Sequence, residues 1–256
     1  MTTLFSILPP LGSNVVYAFQ QSDLFAKIII VLLLLFSVQA WTIMIDKGMA
    51  LRRARKNNRK FLRLFSESRG PLDLLTNTTR PTGPMMDVYR TGTDEIGDLL
   101  ELREQDILHC ANSRELPRNL TSYEVDRVRS ALERGVSVKV DELENRLGLL
   151  GTTVTVSPFL GLLGTVWGVM MAFAGMAQAG RPDIGAMAPG VSGALLTTVV
   201  GLIVAIPSVI GFNLLTSSTR QTITDLDNFV DDFVSLLRLR SSHFSEDATE
   251  AVVYEE

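Results

Sequence analysis

The residues from Leu147 to Gly180 read LGLLGTTVTVSPFLGLLGTVWGVMMAFAGMAQAG, and none of them is charged. A second uncharged run lies between Asp183 and Arg220, and a third extends from Ile28 to Ile45. Uncharged apolar runs of about 18 or more residues are typical of membrane spans, and buried helices of soluble proteins are rarely so long or so free of charge. The sequence therefore predicts an all-α integral membrane protein with transmembrane helices at residues 24–45, 154–180 and 189–216.

The rest of the composition excludes several classes of protein. The formal net charge of −4 gives no basis for nucleic-acid binding, and the single cysteine, Cys110, cannot form an intrachain disulfide. Cys110 and the neighbouring His109 are too few for a metal site, and no nucleotide-binding, zinc-protease or redox motif occurs in the sequence. We therefore expect neither an enzyme nor a protein that needs a metal or another cofactor.

The first apolar run has the length of a span rather than of a cleaved signal. The first basic residue is Lys27, so no basic segment precedes the run. The run is also longer than the apolar region of a signal peptide. Cleavage after Val38-Gln39-Ala40 is the alternative, and a retained first helix is the prediction.

Basic residues cluster directly after the first span, at Lys47, Arg52, Arg53, Arg55, Lys56, Arg59, Lys60 and Arg63. Residues 1–23, by contrast, carry only Asp23. Because basic segments remain on the cytoplasmic side, this asymmetry predicts an extracytoplasmic N-terminus at residues 1–23 and a cytoplasmic region at residues 46–153 of a bacterial inner-membrane protein, with a cytoplasmic C-terminus. The basic side chains themselves are expected to be solvated or to contact anionic lipid.

The cytoplasmic region is predicted to be mostly helical. Its glycines and prolines indicate a loop over residues 66–95, and a polar helix over 95–116 that Pro117 ends. Thr121 and Glu124 have the spacing of a capping box, and apolar residues then recur at every third or fourth position. We expect one long helix from Thr121 into the second span, although Gly148 and Gly151 weaken this expectation.

The second and third spans are joined by a short extracytoplasmic turn at residues 181–188, so they should form an antiparallel hairpin. The third span, residues 189–216, would be about 42 Å long as a helix and must therefore tilt or protrude from the bilayer. After it, the sequence predicts a cytoplasmic amphipathic helix at residues 217–240 and a disordered acidic tail at residues 241–256.

Small residues repeat along both helices of the predicted hairpin. The helix-packing candidates are Gly161, Gly164, Gly168, Gly190 and Gly201. In lipid, faces of small residues allow helix backbones to approach closely, so we expect tight packing within the hairpin and between subunits.

Four hydroxyl side chains lie on or beside these faces: Thr165, Ser192, Thr197 and Thr198. Such hydroxyls either bond to a carbonyl one turn earlier in the same helix or line a pore, and the spacing leaves both open. No ionisable residue lies within the second or third span, so a proton path would need a titratable group from elsewhere.

Two motifs resemble a known family. The sequence Ser157–Met170, SPFLGLLGTVWGVM, is similar to the second-span motif of the TolQ and ExbB proteins of the MotA/TolQ/ExbB proton channel family. The third-span motif of that family resembles residues 188–207, with APG at 188–190, ALLTT at 194–198 and AIP at 205–207. Residues 227–233, DNFVDDF, resemble TolQ more than ExbB, and the resemblance is strong over residues 140–237.

The resemblance implies a role for the chain and its partners. The family forms homopentameric rings of three-span subunits around a pore, which holds single-span partner helices of the TolR or ExbD kind. The intramembrane aspartate of that partner carries the proton, and Thr165 and Thr198 match the family threonines that face it. The implied function is the channel-forming subunit of a motor, driven by the proton-motive force, that acts through a TolA- or TonB-like envelope-spanning protein.

The chain departs from the family at Gly193, where relatives usually have a glutamate. A glutamate there contributes to the polar lining of the pore, so the coupling mechanism or the ion path should differ in this chain. The departure also favours the alternative function, a non-conducting membrane scaffold that assembles through its small-residue faces. A role in envelope maintenance and a role in outer-membrane import both remain open.

Overall fold

The fold is entirely helical over the described residues. The computed structural model describes residues 18–20, 22–68, 70–75, 82–113, 116–180 and 184–253, of which 104, 108, 179, 186 and 240–253 are described by their backbone alone. Within these ranges, the helices of ten or more residues are α1 (Leu24–Glu67), α2 (Pro84–Leu99), α3 (Glu104–Ser113), α4 (Ser122–Glu144), α5 (Leu147–Ala179) and α6 (Ile184–Val253). A short 3-10 helix lies at Asp73–Leu75. The predicted all-α class is confirmed.

The chain divides into two compact units. The first, which we call the membrane unit, comprises the residues up to Asp46 together with Arg146–Thr216. The second, the extramembrane unit, comprises Lys47–Asn145 and the residues from Ser217 onward. Both α1 and α6 pass from one unit into the other, so each long helix combines an apolar half and a polar half.

The membrane unit contains the apolar halves of α1 and α6 together with α5. Three helices of the described chain are long and apolar enough to cross a membrane, as the uncharged runs predict. Ile29, Leu33 and Val204 form the centre of this unit, with Leu160 packed against them. Large apolar side chains such as Leu34, Phe159 and Ile203 are exposed on its outer faces, as expected for surfaces that meet lipid or other subunits.

The extramembrane unit has a conventional apolar core built around aromatic rings. The Phe61 and Phe229 rings pack edge to face with their centroids 5.1 Å apart, and those of Tyr89 and Phe233 do so at 5.7 Å. All four side chains are fully buried, and the Tyr89 hydroxyl donates to the carbonyl of Pro71 at 2.8 Å. The predicted capping box at the start of α4 is also confirmed, because Thr121 and Glu124 bond each other's backbone N–H groups.

The predicted loop at residues 66–95 is wrong over its second half, where α2 begins at Pro84. Proline fits the first turn of a helix, because its missing N–H would have no helical partner there. The buried side chains of Met85, Met86 and Tyr89 then fix the helix against the core. The loop prediction gave proline and glycine too much weight against this apolar stripe.

The polar helix expected at residues 95–116 is divided in two. Helix α2 ends at Leu99, and α3 begins at Glu104. Glu101 between them has a φ of 51°, in the left-handed region, and the Leu102 N–H turns back to the Gly97 carbonyl at 2.9 Å. This turn closes the end of α2 in the way that left-handed residues commonly end helices.

The single helix expected from Thr121 into the second span is also interrupted. Helix α4 ends at Glu144 and α5 begins at Leu147, because Arg146 adopts a left-handed φ of 68°. The break precedes both Gly148 and Gly151, which continue within α5. The low helix propensity of the two glycines therefore predicted the interruption at the wrong residues.

Helix α6 is longer at both ends than expected. It begins at Ile184, before the predicted third span, and runs without a break through Pro189 and Pro207 to Val253. Residues 241–253, for which we expected disorder, are therefore helical, which fits the helix-favouring alanines and glutamates at 246–251. Residues 181–183 of the predicted turn and 254–256 of the tail lie outside the described residues.

Candidate pore site in the membrane unit

The hairpin of α5 and α6 is held at backbone contact by glycine. A Cβ atom at Gly161 would lie 2.9 Å from the Thr198 Cα and 3.0 Å from the Thr197 carbonyl oxygen. A Cβ atom at Gly201 would lie 2.8 Å from the Ser157 carbonyl oxygen. Neither position has room for any side chain, so these two glycines set the distance between the helices.

The other predicted packing glycines extend the same interface. A Cβ atom at Gly164 would overlap the Thr197 side chain, and one at Gly168 would lie 2.7 Å from the Ala194 Cβ. At Gly190 the nearest atom, the Ala172 Cβ, would be at an ordinary 3.4 Å. The structure thus places all five glycines between α5 and α6 of one chain, with Gly190 the least constrained.

Two of the predicted hydroxyls, those of Thr165 and Thr198, bond to the same turn of α5. The Thr198 hydroxyl donates to the Gly161 carbonyl at 2.9 Å, across the hairpin. The Thr165 hydroxyl donates to the Leu162 carbonyl at 2.7 Å, within α5. Because Gly161 and Leu162 are consecutive, the two hydroxyls bond to neighbouring carbonyls on α5.

The remaining two hydroxyls occupy different surroundings. Thr197 is fully buried, and its hydroxyl lies 2.6 Å from the Ala194 carbonyl and 3.1 Å from that of Gly161. Ser192 is exposed, about 120° around α6 from Thr198 and roughly 9 Å nearer the start of the helix. Thr197 therefore belongs to the hairpin interface, and Ser192 lies outside the Thr165–Thr198 pair.

Helix α1 packs on the side of the hairpin away from these two threonines. On α5 it contacts Trp167, which is about 200° around the helix from Thr165. On α6 it approaches Gly193, through Ser22 just before its first turn, and Gly193 is about 140° from Thr198. Thr165 and Thr198 are only half-buried in the single chain, so their side of the hairpin remains open.

Comparisons with known proteins agree with this architecture. Residues 104–228 match the model of the MotA/TolQ/ExbB proton channel family. The Tol-Pal system protein TolQ of Haemophilus influenzae is 30% identical over 230 residues, which is 88% of this chain and 93% of that protein. TolQ of Pseudomonas aeruginosa is 28% identical over 88% of the chain and 93% of its own length. The biopolymer transport protein ExbB of Neisseria meningitidis is 29% identical over 90% of the chain and all of its own length.

The chain belongs to the MotA/TolQ/ExbB proton channel family. The family expected from the sequence is thereby confirmed, and TolQ proteins are among these relatives. The matched range includes all of α5 and the Thr165–Thr198 pair.

The structure explains the glycine at position 193 of this family member. A Cβ atom at Gly193 would lie 2.5 Å from the Ser22 Oγ and 3.1 Å from the Ser22 Cα. Ser22 itself is buried, and its hydroxyl donates to the Ala18 carbonyl at 2.6 Å. A glutamate at 193 would thus displace the segment before α1, and it would lie on the α1 side of the hairpin rather than beside Thr198.

Sequence reasoning missed one polar contact of the membrane unit. The Asp23 carboxylate accepts a hydrogen bond from the Trp167 indole nitrogen at 3.0 Å, across 144 positions of sequence. The available signal was weak: an aspartate directly before an apolar helical run indicates a helix cap, and nothing in the sequence names a partner on α5. No group of three or more His, Cys, Asp or Glu side chains that could hold a metal occurs within the described part of the chain.

Proposed function

We propose that this chain is the channel-forming subunit of an inner-membrane motor driven by the proton-motive force, which energises a cell-envelope or outer-membrane transport system. The observation that carries the proposal is the Thr165–Thr198 pair on the open side of the hairpin, opposite the side that α1 covers. In a ring of subunits this arrangement would place the hydroxyls inward and α1 outward. Family membership and three apolar helices support the same conclusion.

The proton itself needs a group that the hairpin lacks. Residues 147–179 of α5 and 184–216 of α6 contain no ionisable side chain, although they carry the open hydroxyl pair. A single-span partner of the TolR or ExbD kind, with an intramembrane aspartate, would supply the carboxyl group. In this proposal Thr165 and Thr198 bond to that carboxyl group in one protonation state, Ser192 lines the pore nearer the start of α6, and Thr197 holds the hairpin closed behind them.

The proposed assembly is a homopentamer that transmits work to a TolA- or TonB-like envelope-spanning protein. Its proposed orientation has the N-terminus outside the cytoplasm, because the exposed basic residues Arg52, Arg53 and Lys56 follow the first span. These side chains would meet anionic lipid headgroups of the inner leaflet.

The experiment is reconstitution of the chain with the single-span protein that co-purifies with it from its own host. Proton entry into liposomes is followed with a pH-sensitive dye under an imposed membrane potential. The proposal expects flux that depends on both proteins and disappears when the partner's intramembrane aspartate is changed to asparagine.

One observation favours the alternative function. Position 193 has no carboxylate, and Ser22 packs directly against Gly193. Such close packing is typical of a structural contact and leaves no room for an ion path at this position. If the intact assembly passes no more protons than empty liposomes, the chain is a non-conducting scaffold and the motor is excluded.

A further inference from the structure

The Asp23 carboxylate joins two helices of the membrane unit. Its Oδ1 accepts the Ala26 N–H at 2.9 Å and so caps the first turn of α1. Its Oδ2 accepts the Trp167 indole N–H on α5 at 3.0 Å. Each oxygen thus serves a different helix, and both bonds carry the strength of a charged acceptor.

Packing alone does not hold Trp167 in place. Its side chain is 36% exposed, and its main neighbour is the Phe25 ring, with centroids 4.6 Å apart. A cavity of about 200 Å³ lies at the same junction, lined by residues that include Asp23, Gly168, Met171 and Gly193. The bond to Asp23 is therefore a specific polar restraint on an indole that is otherwise partly exposed.

The junction lies well inside α5 rather than at its end. Twelve residues of α5 follow Trp167, which is about 18 Å of helix. Asp23 is exposed in the single chain, but the cavity beside it is otherwise lined by small and apolar residues, so its carboxylate relies on the few hydrogen-bond donors nearby. The cap N–H and the indole N–H are donors of this kind.

From these contacts we infer that Asp23 is a positioning residue for the ion path. Trp167 is two residues from Thr165 and adjacent to Gly168, whose backbone packs on Ala194 of α6. Because a helix moves as a stiff body, the bond from Asp23 fixes the depth and rotation of the α5 turn that carries Thr165. This inference rests on the proposed function, since it assigns Asp23 a role in proton flux.

Two substitutions separate the bond from the other roles of these side chains. Asp23→Asn keeps an oxygen that caps α1, because asparagine caps helices as well as aspartate does, but it replaces the indole acceptor with an NH₂ group. Trp167→Phe keeps the ring beside Phe25 and removes the donor. Trp41→Phe is the matched control, since Trp41 is an exposed residue of α1 and the only other tryptophan in the chain.

The readouts are proton flux of the reconstituted assembly and the ultraviolet resonance Raman band of the indole N–H. In the Trp41→Phe protein this band reports Trp167 alone, and we expect a hydrogen-bonded indole that becomes free in Asp23→Asn. We expect flux to fall roughly tenfold in Asp23→Asn and in Trp167→Phe, since hydrogen bonds to charged groups contribute about that factor. The double variant should be no slower than either single variant, because both remove the same bond.

An indole N–H band at the position of a free indole in the Trp41→Phe protein, which retains Asp23, overturns the bond. If the hydrogen bond between Asp23 and Trp167 is lost but proton flux is unchanged, the positioning role is overturned. The role is also overturned if the flux losses of the two single variants multiply in the double variant. Wild-type assemblies without flux overturn the proposed function and with it the role in ion transport, while the indole band still reports whether Asp23 holds Trp167.

Discussion

The side chains of Thr165 and Thr198 are half-buried on the side of the hairpin away from α1. Each is bonded to a carbonyl of α5, so neither is an isolated polar group in lipid. A threonine hydroxyl that donates to a carbonyl still has lone pairs, and it can accept a bond from a protonated carboxyl group. This is the chemistry that a partner aspartate needs when it changes its protonation state.

We expect Thr165→Val with Thr198→Val to abolish proton flux without preventing membrane insertion or assembly. Valine nearly matches threonine in shape, so the main loss is of the hydroxyls, at about 1 kcal/mol or more for each bond. Flux in liposomes and oligomer mass by native mass spectrometry are the two measurements. Thr152→Val, an exposed hydroxyl of α5 outside the pair, is the control. Wild-type flux in the double variant would show that these hydroxyls serve only their own helices.

Gly201→Ala and Gly175→Ala should affect thermal stability differently. A Cβ atom at Gly201 meets the Ser157 carbonyl oxygen at 2.8 Å, whereas one at Gly175 meets nothing within 4 Å. Overpacking costs about 1–3 kcal/mol, so Gly201→Ala should lower the melting temperature of the purified protein. Gly175→Ala should leave it unchanged or raise it, because alanine favours helix by about 1 kcal/mol over glycine. Equal melting temperatures for the two variants would contradict the backbone contact at Gly201.

The first turn of α4 is stabilised by a capping box and by an ion pair. Glu124 bonds to the Thr121 backbone and to the Arg118 guanidinium, with its carboxylate oxygens 2.8 and 2.6 Å from the two guanidinium nitrogens. The hydrogen bonds from Arg118, followed by the backbone bond at Thr121, lower the pKa of Glu124 from 4.5 to about 2. The group therefore favours the folded state in its ionised form.

This lowered pKa predicts how the stability of the extramembrane unit depends on pH. The contribution of Glu124 should be complete above pH 4.5 and should disappear as the pH falls towards 2, because protonation then removes the charge. Wild type and Glu124→Gln should differ at neutral pH by less than about 1 kcal/mol, since the ion pair is close to solvent. Their difference in unfolding free energy should narrow over that acid range, as urea titrations at several pH values would show. A constant difference down to pH 2 would assign the effect to the side-chain shape instead.

The breaks between helices show where local propensity ceases to decide structure. Glu101 and Arg146 adopt left-handed φ values that their residue types do not favour. Each ends a helix at a point where the apolar pattern continues across the break, so the pattern alone predicted continuous helices. An apolar pattern does not encode this local backbone conformation, and so it does not predict these helix ends.

For the whole molecule, topology is the property that the charge distribution predicts most directly. A reporter fused after Asn14 should be extracytoplasmic, and reporters near Thr82 and after Ser242 should be cytoplasmic, because basic residues follow the first span and residues 1–22 carry no charge. Paired alkaline phosphatase and green fluorescent protein fusions at each position measure this, since each is active on one side only. Phosphatase activity at Thr82 would reverse the proposed orientation.

The membrane class, the three apolar helices and the hairpin follow from the amino-acid pattern alone, because long uncharged runs leave no other solvent for these helices. The same pattern predicts which helix faces are small enough for close contact, and the structure places the five glycines between α5 and α6. The side of the hairpin on which α1 packs, by contrast, could not be predicted and is known from the folded structure. That choice buries Ser22 against Gly193, brings Asp23 to Trp167, and leaves Thr165 and Thr198 on the open side. Periodicity identifies the faces of a helix but not the partner of each face, because several partners satisfy the same pattern and only their combined packing selects one.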